Sequence, residues 1–422
     1  MMNRSHFDVI VVGGGPAGSM TAYFLAKAGV RTALIDGSVF PRSKPCGGGL
    51  QARTLADLPF DLSHLFRGTM NRLSVSFGLS ESWTRAYPEP LVYNVLRSEF
   101  DHYLIRRAEA AGASVYQGSP LRGLIADREG LITVMIDSGA LQASVLVGAD
   151  GANSVVRGLL NDRRHYFWQA AVSCEVPEEY VNWPALQQDC MMVDWGTLPC
   201  GYAWAFPKHG YLNIGAGGPV RIARNLKRYV ARFIDKRQLL KPGSLGRLNL
   251  VGHQLPTFAK GARLAGSRML LVGDAAGLVE PFTGDGISFA CRSARIASDC
   301  IHRALNSGHL DLRDYHTCLT SRIGDDLLWS RKLLSLSAAF PRVVYRLFRS
   351  NDRVWQTFCK TVRGEESFYK LKKDVLGQFE FAWKAIDLFM QLRERNVFGF
   401  SALAFPRKTF TRAAQTSVTN LF

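Results

Sequence analysis

The chain contains 422 residues, 47% of them hydrophobic, and can bury the core of one large domain or of two to three smaller ones. Lys and Arg outnumber Asp and Glu by 52 to 35, and the formal charge of +17 is typical of proteins that meet nucleic acid, an anionic membrane or phosphorylated ligands.

An apolar run of about 18 residues is absent from the sequence, so no membrane span is predicted. We expect no signal peptide, because Asp8 and a glycine-rich turn interrupt the first apolar stretch. Eight cysteines without a C-x-x-C pair indicate small buried residues in a reducing cytoplasm, and no metal site is predicted.

A glycine-rich turn separates a short apolar strand, 7–12, from a helix that the periodicity predicts over 19–28. Its glycines have the spacing G-x-G-x-x-G, at Gly13, Gly15 and Gly18. The first permits a tight turn, the second lets the backbone approach a pyrophosphate, and the third lets helix and strand pack closely. Asp36 ends the next strand, where its carboxylate could accept hydrogen bonds from a ribose. The arrangement predicts a dinucleotide-binding unit, although glycine-rich turns also occur as plain connections.

Residues 40–50 form a second glycine-rich loop, since two prolines and three consecutive glycines rule out regular structure. Cys46 lies near Arg42 and Lys44 in this loop, a setting in which a thiol can be exposed and its pKa lowered. Arg97, at the start of a helix predicted to run to about residue 111, could clamp a pyrophosphate. The alternatives are an incidental cysteine and a surface arginine.

Two further turns combine glycine with aspartate after apolar strands, around Asp150 and around Asp274. Asp274 could hold a ribityl hydroxyl, and the helix that begins near 284–287 could place the positive end of its dipole against a flavin ring. The first and last turns are more than 250 residues apart and would serve opposite ends of one long dinucleotide. FAD fits that separation better than NAD.

Between 166 and 254 the sequence changes to alternating strands broken by prolines, which predicts antiparallel hairpins in an inserted lobe. Tyr202, Trp204 and Phe206 share one face of a strand at period two, either as core or as binding surface. The predicted domains are a discontinuous FAD-binding domain over 1–165 and 255–310, the lobe over 166–254, and a helical region over 311–422.

The basic excess is concentrated near the carboxyl terminus, where 321–422 holds 18 Lys or Arg against 9 Asp or Glu. Helices with basic residues beside Trp, Phe, Leu and Tyr suit a membrane interface, and a core-packing helix with a solvated basic face is the alternative. No zinc-finger, helix-turn-helix or RNA-binding aromatic pattern occurs there, so no nucleic acid partner is predicted. We expect a cytoplasmic protein in peripheral contact with the inner face of a membrane.

Five motifs together resemble the geranylgeranyl reductase family, within the p-hydroxybenzoate hydroxylase-like flavoproteins. They are Gly13-x-Gly15-x-x-Gly18, Lys44-Pro45-Cys46-Gly47-Gly48-Gly49, Gly148-Ala149-Asp150-Gly151, Tyr202-x-Trp204-x-Phe206-Pro207 and Gly273-Asp274-Ala275-Ala276-Gly277. The first, third and fifth occur across the superfamily and indicate only FAD, whereas the second and fourth are much more specific. The run from Pro281 to Ile287 also resembles the family's pattern. The resemblance covers residues 7 to about 305 and not the last hundred.

The resemblance implies an α/β fold: a Rossmann-like FAD-binding domain, an inserted antiparallel-sheet substrate lobe and a helical carboxy-terminal region. It implies a reductase that saturates isolated C=C bonds of a polyprenyl lipid or diphosphate, with FAD reduced by NADPH or by ferredoxin, an electron-donor protein. The FAD would be held by Gly13, Gly15, Ala17, Gly18, Asp36, Arg97, Asp150 and Asp274. Beside the flavin would lie Cys46, Gly47, Gly49, Gly286 and Ile287. Cys46 is the candidate catalytic residue, and Tyr202, Trp204 and Phe206 would line a prenyl tunnel.

Two other classes of function remain open on the sequence. A flavin monooxygenase or hydroxylase would share the same scaffold, because a fold does not fix a reaction. A halogenase is disfavoured, since the tryptophan-x-tryptophan-x-isoleucine-proline motif is missing. A basic binder of membranes or nucleic acid with a vestigial flavin is the third class.

Overall fold

Three β-sheets and a set of carboxy-terminal helices make up a computed structural model of the chain, which describes residues 5–126, 130–160, 166–258 and 261–377. The elements in chain order are β1 (Ser5–Val12), α1 (Pro16–Lys27), β2 (Thr32–Ile35), β3 (Gly49–Gln51), α2 (Arg53–Ala56), β4 (Gly68–Met70), β5 (Arg72–Phe77), β6 (Ser82–Ala86), β7 (Val92–Asn94), α3 (Arg97–Ala110), β8 (Ser114–Tyr116), β9 (Gly123–Ala126), β10 (Ile132–Ile136), β11 (Gly139–Gly148), α4 (Val155–Leu159), β12 (Tyr166–Pro177), β13 (Cys190–Trp195), β14 (Tyr202–Lys208), β15 (Tyr211–Pro219), α5 (Ala223–Arg237), β16 (Val251–Phe258), β17 (Met269–Leu271), α6 (Ile287–Asn306), α7 (Tyr315–Leu319), α8 (Asp325–Ala339), α9 (Pro341–Ser350), α10 (Asp352–Arg363) and α11 (Phe368–Leu376).

The first sheet has the strand order β8-β2-β1-β11-β10-β9, with β17 also paired to β11. Strands β8, β2, β1, β11 and β17 run parallel, and β9 and β10 join as antiparallel strands. Val9, Ile10 and Val11 are fully buried, as in parallel strands that are covered on both faces. The predicted Rossmann-like α/β domain is therefore confirmed. The two glycine-rich turns follow β1 and β17, at the carboxyl ends of parallel strands, where such sheets bind ligands.

The second sheet has the order β16-β12-β15-β14-β13-β5-β6 and is antiparallel except for the β13–β5 pair. It contains the predicted hairpins of the lobe. It also takes in β5 and β6, residues 72–86, which the predicted boundaries assign to the FAD-binding domain. The lobe is thus built from two separate segments rather than from one insertion. The reason is the parallel pairing of Val75 with Val193, a contact across more than a hundred residues that no local pattern reveals.

The carboxy-terminal helices α8 to α11 pack on one face of the second sheet, and α5 packs on the other. Pro341 begins α9, and Gly364, at φ +82°, ends α10. Residues 378–422 of the predicted helical region lie outside the described residues. Within the described ranges, none of the helices has both the length and the apolar character that crossing a membrane requires.

Candidate functional site

A cavity of about 940 Å³ extends from the carboxyl edge of the first sheet to the carboxy-terminal helices. All the site residues predicted from the sequence line it except Gly18, which packs beneath the turn. Most of its charged lining residues belong to the segments around the glycine-rich turns, and Arg97 at the start of α3 lies with them, a part that we call the polar end. The remainder, which we call the apolar arm, is lined by Leu73, Val75 and Val193 of the second sheet and by Leu334, Phe348, Phe358 and Val362 of the helices.

The turn after β1 leaves open space at one glycine and none at the other two. Gly13 has φ +107°, and a Cβ on Gly18 would lie 1.7 Å from the Gly13 carbonyl oxygen. A Cβ on Gly15 would instead meet only the Arg42 guanidinium, at 3.7 Å. Gly15 precedes α1 without a side-chain cap, so the helix amides face the cavity. This cradle fits a pyrophosphate.

Asp36 lies at the end of β2, as predicted, with both carboxylate oxygens held by backbone amides. Gly14 donates to one at 2.6 Å and Ser38 donates to the other at 2.7 Å. These bonds fix the carboxylate beside the first turn. Its remaining lone pairs are available to the hydroxyls of a ribose.

Two arginines share one buried carboxylate at the polar end. Arg97 donates twice to Asp101, at 2.8 Å each, and Arg42 lies 3.2 Å from the same group. Burial acts to lower the pKa of Arg97, but the negative charge of Asp101 acts in the opposite direction. The pKa of Arg97 is raised overall. One terminal nitrogen of Arg42 is buried with no hydrogen-bond partner among the described residues. This orphaned donor is a second observation that fits an anionic group.

Lys44, His253 and Asp274 come together near the arginines. The Lys44 ammonium lies 2.7 Å from His253 Nε2, and that nitrogen lies 4.0 Å from an Asp274 oxygen. Burial lowers the pKa of Lys44 to about 8, although Asp274 acts in the opposite direction. Burial works to raise the pKa of Asp274, but the hydrogen bond from His253 and the charge of Lys44 lower it overall. Asp274 is therefore a charged acceptor at neutral pH.

The Asp150 turn lines the cavity, but the Asp150 carboxylate is bound within the turn itself. The Asp150 oxygens accept bonds from the Ser154 hydroxyl at 2.5 Å and from the Val155 amide at 2.6 Å, which caps α4. Arg157 donates to the carbonyls of Asp274 and Ala275 and so links this turn to the one after β17. This Arg157 clamp could not be predicted from local sequence, because Asp274 and Ala275 lie more than a hundred residues away.

Cys46 is half-buried in the loop before β3. Its sulfur accepts a hydrogen bond from the Gly48 amide at 3.3 Å and contacts the Arg97 guanidinium. The Asn213 amide donates to the Cys46 carbonyl at 2.9 Å and accepts from the Trp204 indole at 2.7 Å. Asn213 therefore couples the loop to the aromatic strand. It was not found from the sequence, since a lone Asn inside a strand carries no motif.

The aromatic stripe on β14 forms a wall of the cavity. The ring centroid of Trp204 is 5.8 Å from that of Tyr202 and 6.2 Å from that of Phe206. A Cβ on Gly47 would lie 3.0 Å from the Phe206 ring, so the glycine loop packs closely against the stripe. The absence of a Cβ on Gly215 leaves room for the indole. The stripe is thus both packed and exposed to the cavity.

The loop before α6 is held by a buried carboxylate. Glu280 accepts bonds from the backbone amides of Phe282 and Thr283, and from the Ser330 hydroxyl on α8. Tyr202 donates to the Thr283 carbonyl at 2.6 Å. Burial raises the pKa of Glu280. Helix α8, in the region that the family resemblance does not cover, is therefore fastened to the loop that carries Gly286.

Comparisons with known proteins agree with this architecture. Residues 6–167 match a family described as an FAD binding domain. The chain is 31% identical over 338 residues to the chloroplastic geranylgeranyl diphosphate reductase of Nicotiana tabacum, covering 74% of this chain and 71% of the relative. It is 30% identical over 359 residues to menaquinone reductase of Mycobacterium tuberculosis, covering 79% and 85%.

A crystal structure of a geranylgeranyl bacteriochlorophyll reductase-like protein from Thermoplasma acidophilum shares the fold, with a TM-score of 0.71 and 24% identity. The match covers 92% of this chain and 100% of that chain. Together, the sequence matches and the architecture confirm the resemblance that the motifs indicate. The chain belongs to the geranylgeranyl reductase family of FAD-dependent oxidoreductases.

Proposed function

We propose that the protein saturates isolated C=C bonds in a polyprenyl chain of the geranylgeranyl type. The observation that carries the proposal is the union of the polar end and the apolar arm in one cavity. A linear hydrocarbon chain offers nothing for polar groups to bind, so its recognition requires a long apolar wall. The arm supplies such a wall directly beside the site proposed for FAD.

The polar end carries the groups that we propose to hold FAD. The pyrophosphate would be held by the turn with Gly13, Gly15 and Ala17 and by the Arg42 nitrogen that has no partner among the described residues. Asp36 would hold the adenosine ribose. The set proposed to lie along the ribityl chain and flavin is Cys46, Gly47, Gly49, Arg97, Asp274, Gly286 and Ile287. When bound, FAD supplies the hydride for the reduction.

The chain's own groups orient the substrate and exclude water. Tyr202, Trp204 and Phe206 form a rigid wall that would fix the position of a double bond in the arm. Burial raises the pKa of Tyr202, which keeps its hydroxyl protonated. The Cys46 sulfur, held by Gly48 and Arg97, is proposed to position the reacting bond beside the flavin site.

The test is anaerobic reduction of the purified flavoprotein followed by incubation with geranylgeranyl diphosphate or a geranylgeranyl lipid. Mass spectrometry is expected to show product mass increasing in steps of two hydrogens with at least one substrate. No increase with either, despite reducible FAD, would contradict the proposal. Substrate-dependent oxygen uptake with an oxygenated product would instead indicate a hydroxylase. Comparing NADPH with reduced ferredoxin as the agent that bleaches the flavin would identify the electron donor.

We also propose that the protein works in peripheral contact with a membrane. Polyprenyl chains partition into lipid rather than water, and the chain carries a formal charge of +17. These two properties support contact with an anionic lipid surface.

FAD affinity is expected to fall as pH rises through about 8, the pKa of Lys44 in the protein without bound ligand. Below that pH the Lys44 ammonium attracts the cofactor's phosphates, and above it the charge is lost. Titration of apoprotein with FAD at a series of pH values should show the affinity for FAD falling by up to roughly tenfold across this range. Lys44→Met should bind more weakly at neutral pH and lack this dependence, whereas an unchanged pH profile in the variant would exclude Lys44 as its source.

Val193→Trp is expected to lower polyprenyl reduction by roughly 100-fold, because the indole would displace the substrate from its position in the apolar arm. FAD binding and chemical bleaching of the flavin should match the wild type. Val251→Trp is the control, since Val251 is 42% exposed on the edge strand β16. Equal turnover in both variants would show that the arm does not hold the substrate.

A further inference from the structure

Helix α9 has an inner face that belongs to the cavity. Val344 and Phe348 are buried, and their spacing of four residues places them on one side of the helix. Phe348 lines the apolar arm, with its ring centroid 6.3 Å from that of Phe282 and 5.2 Å from that of Phe358. The helix is therefore a wall of the arm.

The outer face of α9 is basic and partly apolar. Arg342, Val343, Arg346 and Arg349 are all exposed, Val343 by 41% of its surface, and Phe340 at the start of the helix by 39%. The ten residues of α9 include no acidic side chain. None of the three arginines forms an ion pair with a residue that the structure describes. Exposed cations thus share one helical surface with Val343, which we call the outer face, and Phe340 is exposed at the residue before it.

This combination matches the chemistry of an anionic bilayer surface. Arginines that make no ion pair with the described residues attract lipid phosphates, and entry of neighbouring apolar side chains into the boundary between headgroups and acyl chains is favourable. A helix of 10 residues is about 15 Å long, which suits lying in the plane of the interface rather than crossing the membrane. Duplex nucleic acid would attract the arginines but would gain nothing from an exposed Val and Phe, so we favour lipid.

We propose that the outer face of α9 docks on an anionic phospholipid bilayer, with the apolar arm directly behind it. A polyprenyl chain would then pass from the lipid into the arm beside Phe348. The docking stands on the exposed residues of α9 alone. The transfer of substrate rests on the proposed function.

Flotation of the full-length flavoprotein with phosphatidylcholine vesicles, with and without phosphatidylglycerol, tests the docking in the absence of substrate. The wild type is expected to float with the anionic vesicles and to dissociate as salt is raised. A triple variant, R342Q/R346Q/R349Q, should lose roughly tenfold or more of its partition into those vesicles. Val343→Ser should weaken binding without changing its salt dependence.

The matched control is R224Q/K227Q/R228Q on α5, where three exposed cations lie on the opposite side of the second sheet. It should float as the wild type does. An equal loss of vesicle binding in both triple variants would show that net charge alone causes binding, and it would overturn the proposal. Three other results would also overturn the proposal. The wild type could fail to float, or the α9 triple variant could still float. The α9 triple variant could also lose binding to duplex DNA while it keeps binding to vesicles.

Turnover separates the docking from the reductase proposal. The α9 variant should reduce a detergent-dispersed geranylgeranyl lipid at the wild-type rate and lose activity on the same lipid embedded in anionic vesicles. Vesicle binding without reduction of either form would contradict the proposed function and leave the docking supported. Equal rates on both forms in the variant would contradict transfer beside α9.

Discussion

Gly15→Ala is expected to raise the dissociation constant for FAD at least about 100-fold, which corresponds to roughly 2.7 kcal/mol, while the apoprotein keeps its stability. Gly15 has φ −72°, a conformation that alanine adopts without strain, and the added Cβ would meet only Arg42 at 3.7 Å. The methyl group would occupy the space through which the pyrophosphate approaches the helix amides. Titration of apoprotein with FAD measures the affinity, and thermal unfolding of the apoprotein measures the stability.

Two other glycines provide the controls. A Cβ on Gly18 would lie 1.7 Å from the Gly13 carbonyl oxygen, so Gly18→Ala should lose both stability and FAD. A Cβ on Gly246 would meet nothing within 4 Å, so Gly246→Ala should change neither. Wild-type FAD affinity in Gly15→Ala would contradict the assignment of this turn to the pyrophosphate.

The residues that the sequence could identify are those whose role follows from local order along the chain. Gly13, Gly18 and Asp36 follow from a strand, a turn and a helix within about thirty residues, and the structure gives them the predicted positions. The period-two stripe on β14 likewise predicts a shared face. Local backbone geometry is therefore enough to predict these relations from the sequence.

Residues whose role comes from a distant partner could not be found in this way. Asn213 matters because it joins the Cys46 carbonyl to the Trp204 indole, and His253 because it contacts Lys44 across 209 positions of sequence. Neither is part of a local pattern, since each meets its partners only after the second sheet has formed. These side-chain contacts help to build the site, but the periodicity of the sequence does not predict them.

The limits of the second lobe were missed for the same reason. The parallel pairing of β5 with β13 depends on long-range register, and the helical wall of the arm comes from a region that the resemblance did not cover. Phe348 and Val362 are apolar residues in amphipathic helices, a pattern that indicates burial but not against what. Only the assembled structure places them around a cavity rather than in a closed core.

Cys46→Ala is expected to keep FAD and to lose or misdirect the reduction, with turnover lower by roughly 100-fold if the reacting bond is displaced. The substitution should preserve the loop, because Asn213 bonds to the backbone carbonyl of residue 46 rather than to its sulfur. What it removes is the sulfur held by the Gly48 amide and Arg97. The flavin absorbance spectrum reports the cofactor, and mass spectrometry of the products reports both the rate and the bond that is reduced.

Cys174→Ala is the matched control, since Cys174 is also half-buried but packs with the cluster on the α5 side of the second sheet. Its turnover should equal that of the wild type. Asn213→Ala separates the two parts of the loop's role, because it leaves the sulfur in place and removes the bond to the carbonyl. If Asn213→Ala alters the product pattern and Cys46→Ala does not, loop position controls the reaction and the thiol has no catalytic part. If Cys46→Ala alone loses turnover while its flavin spectrum is unchanged, the sulfur itself acts on the bound substrate.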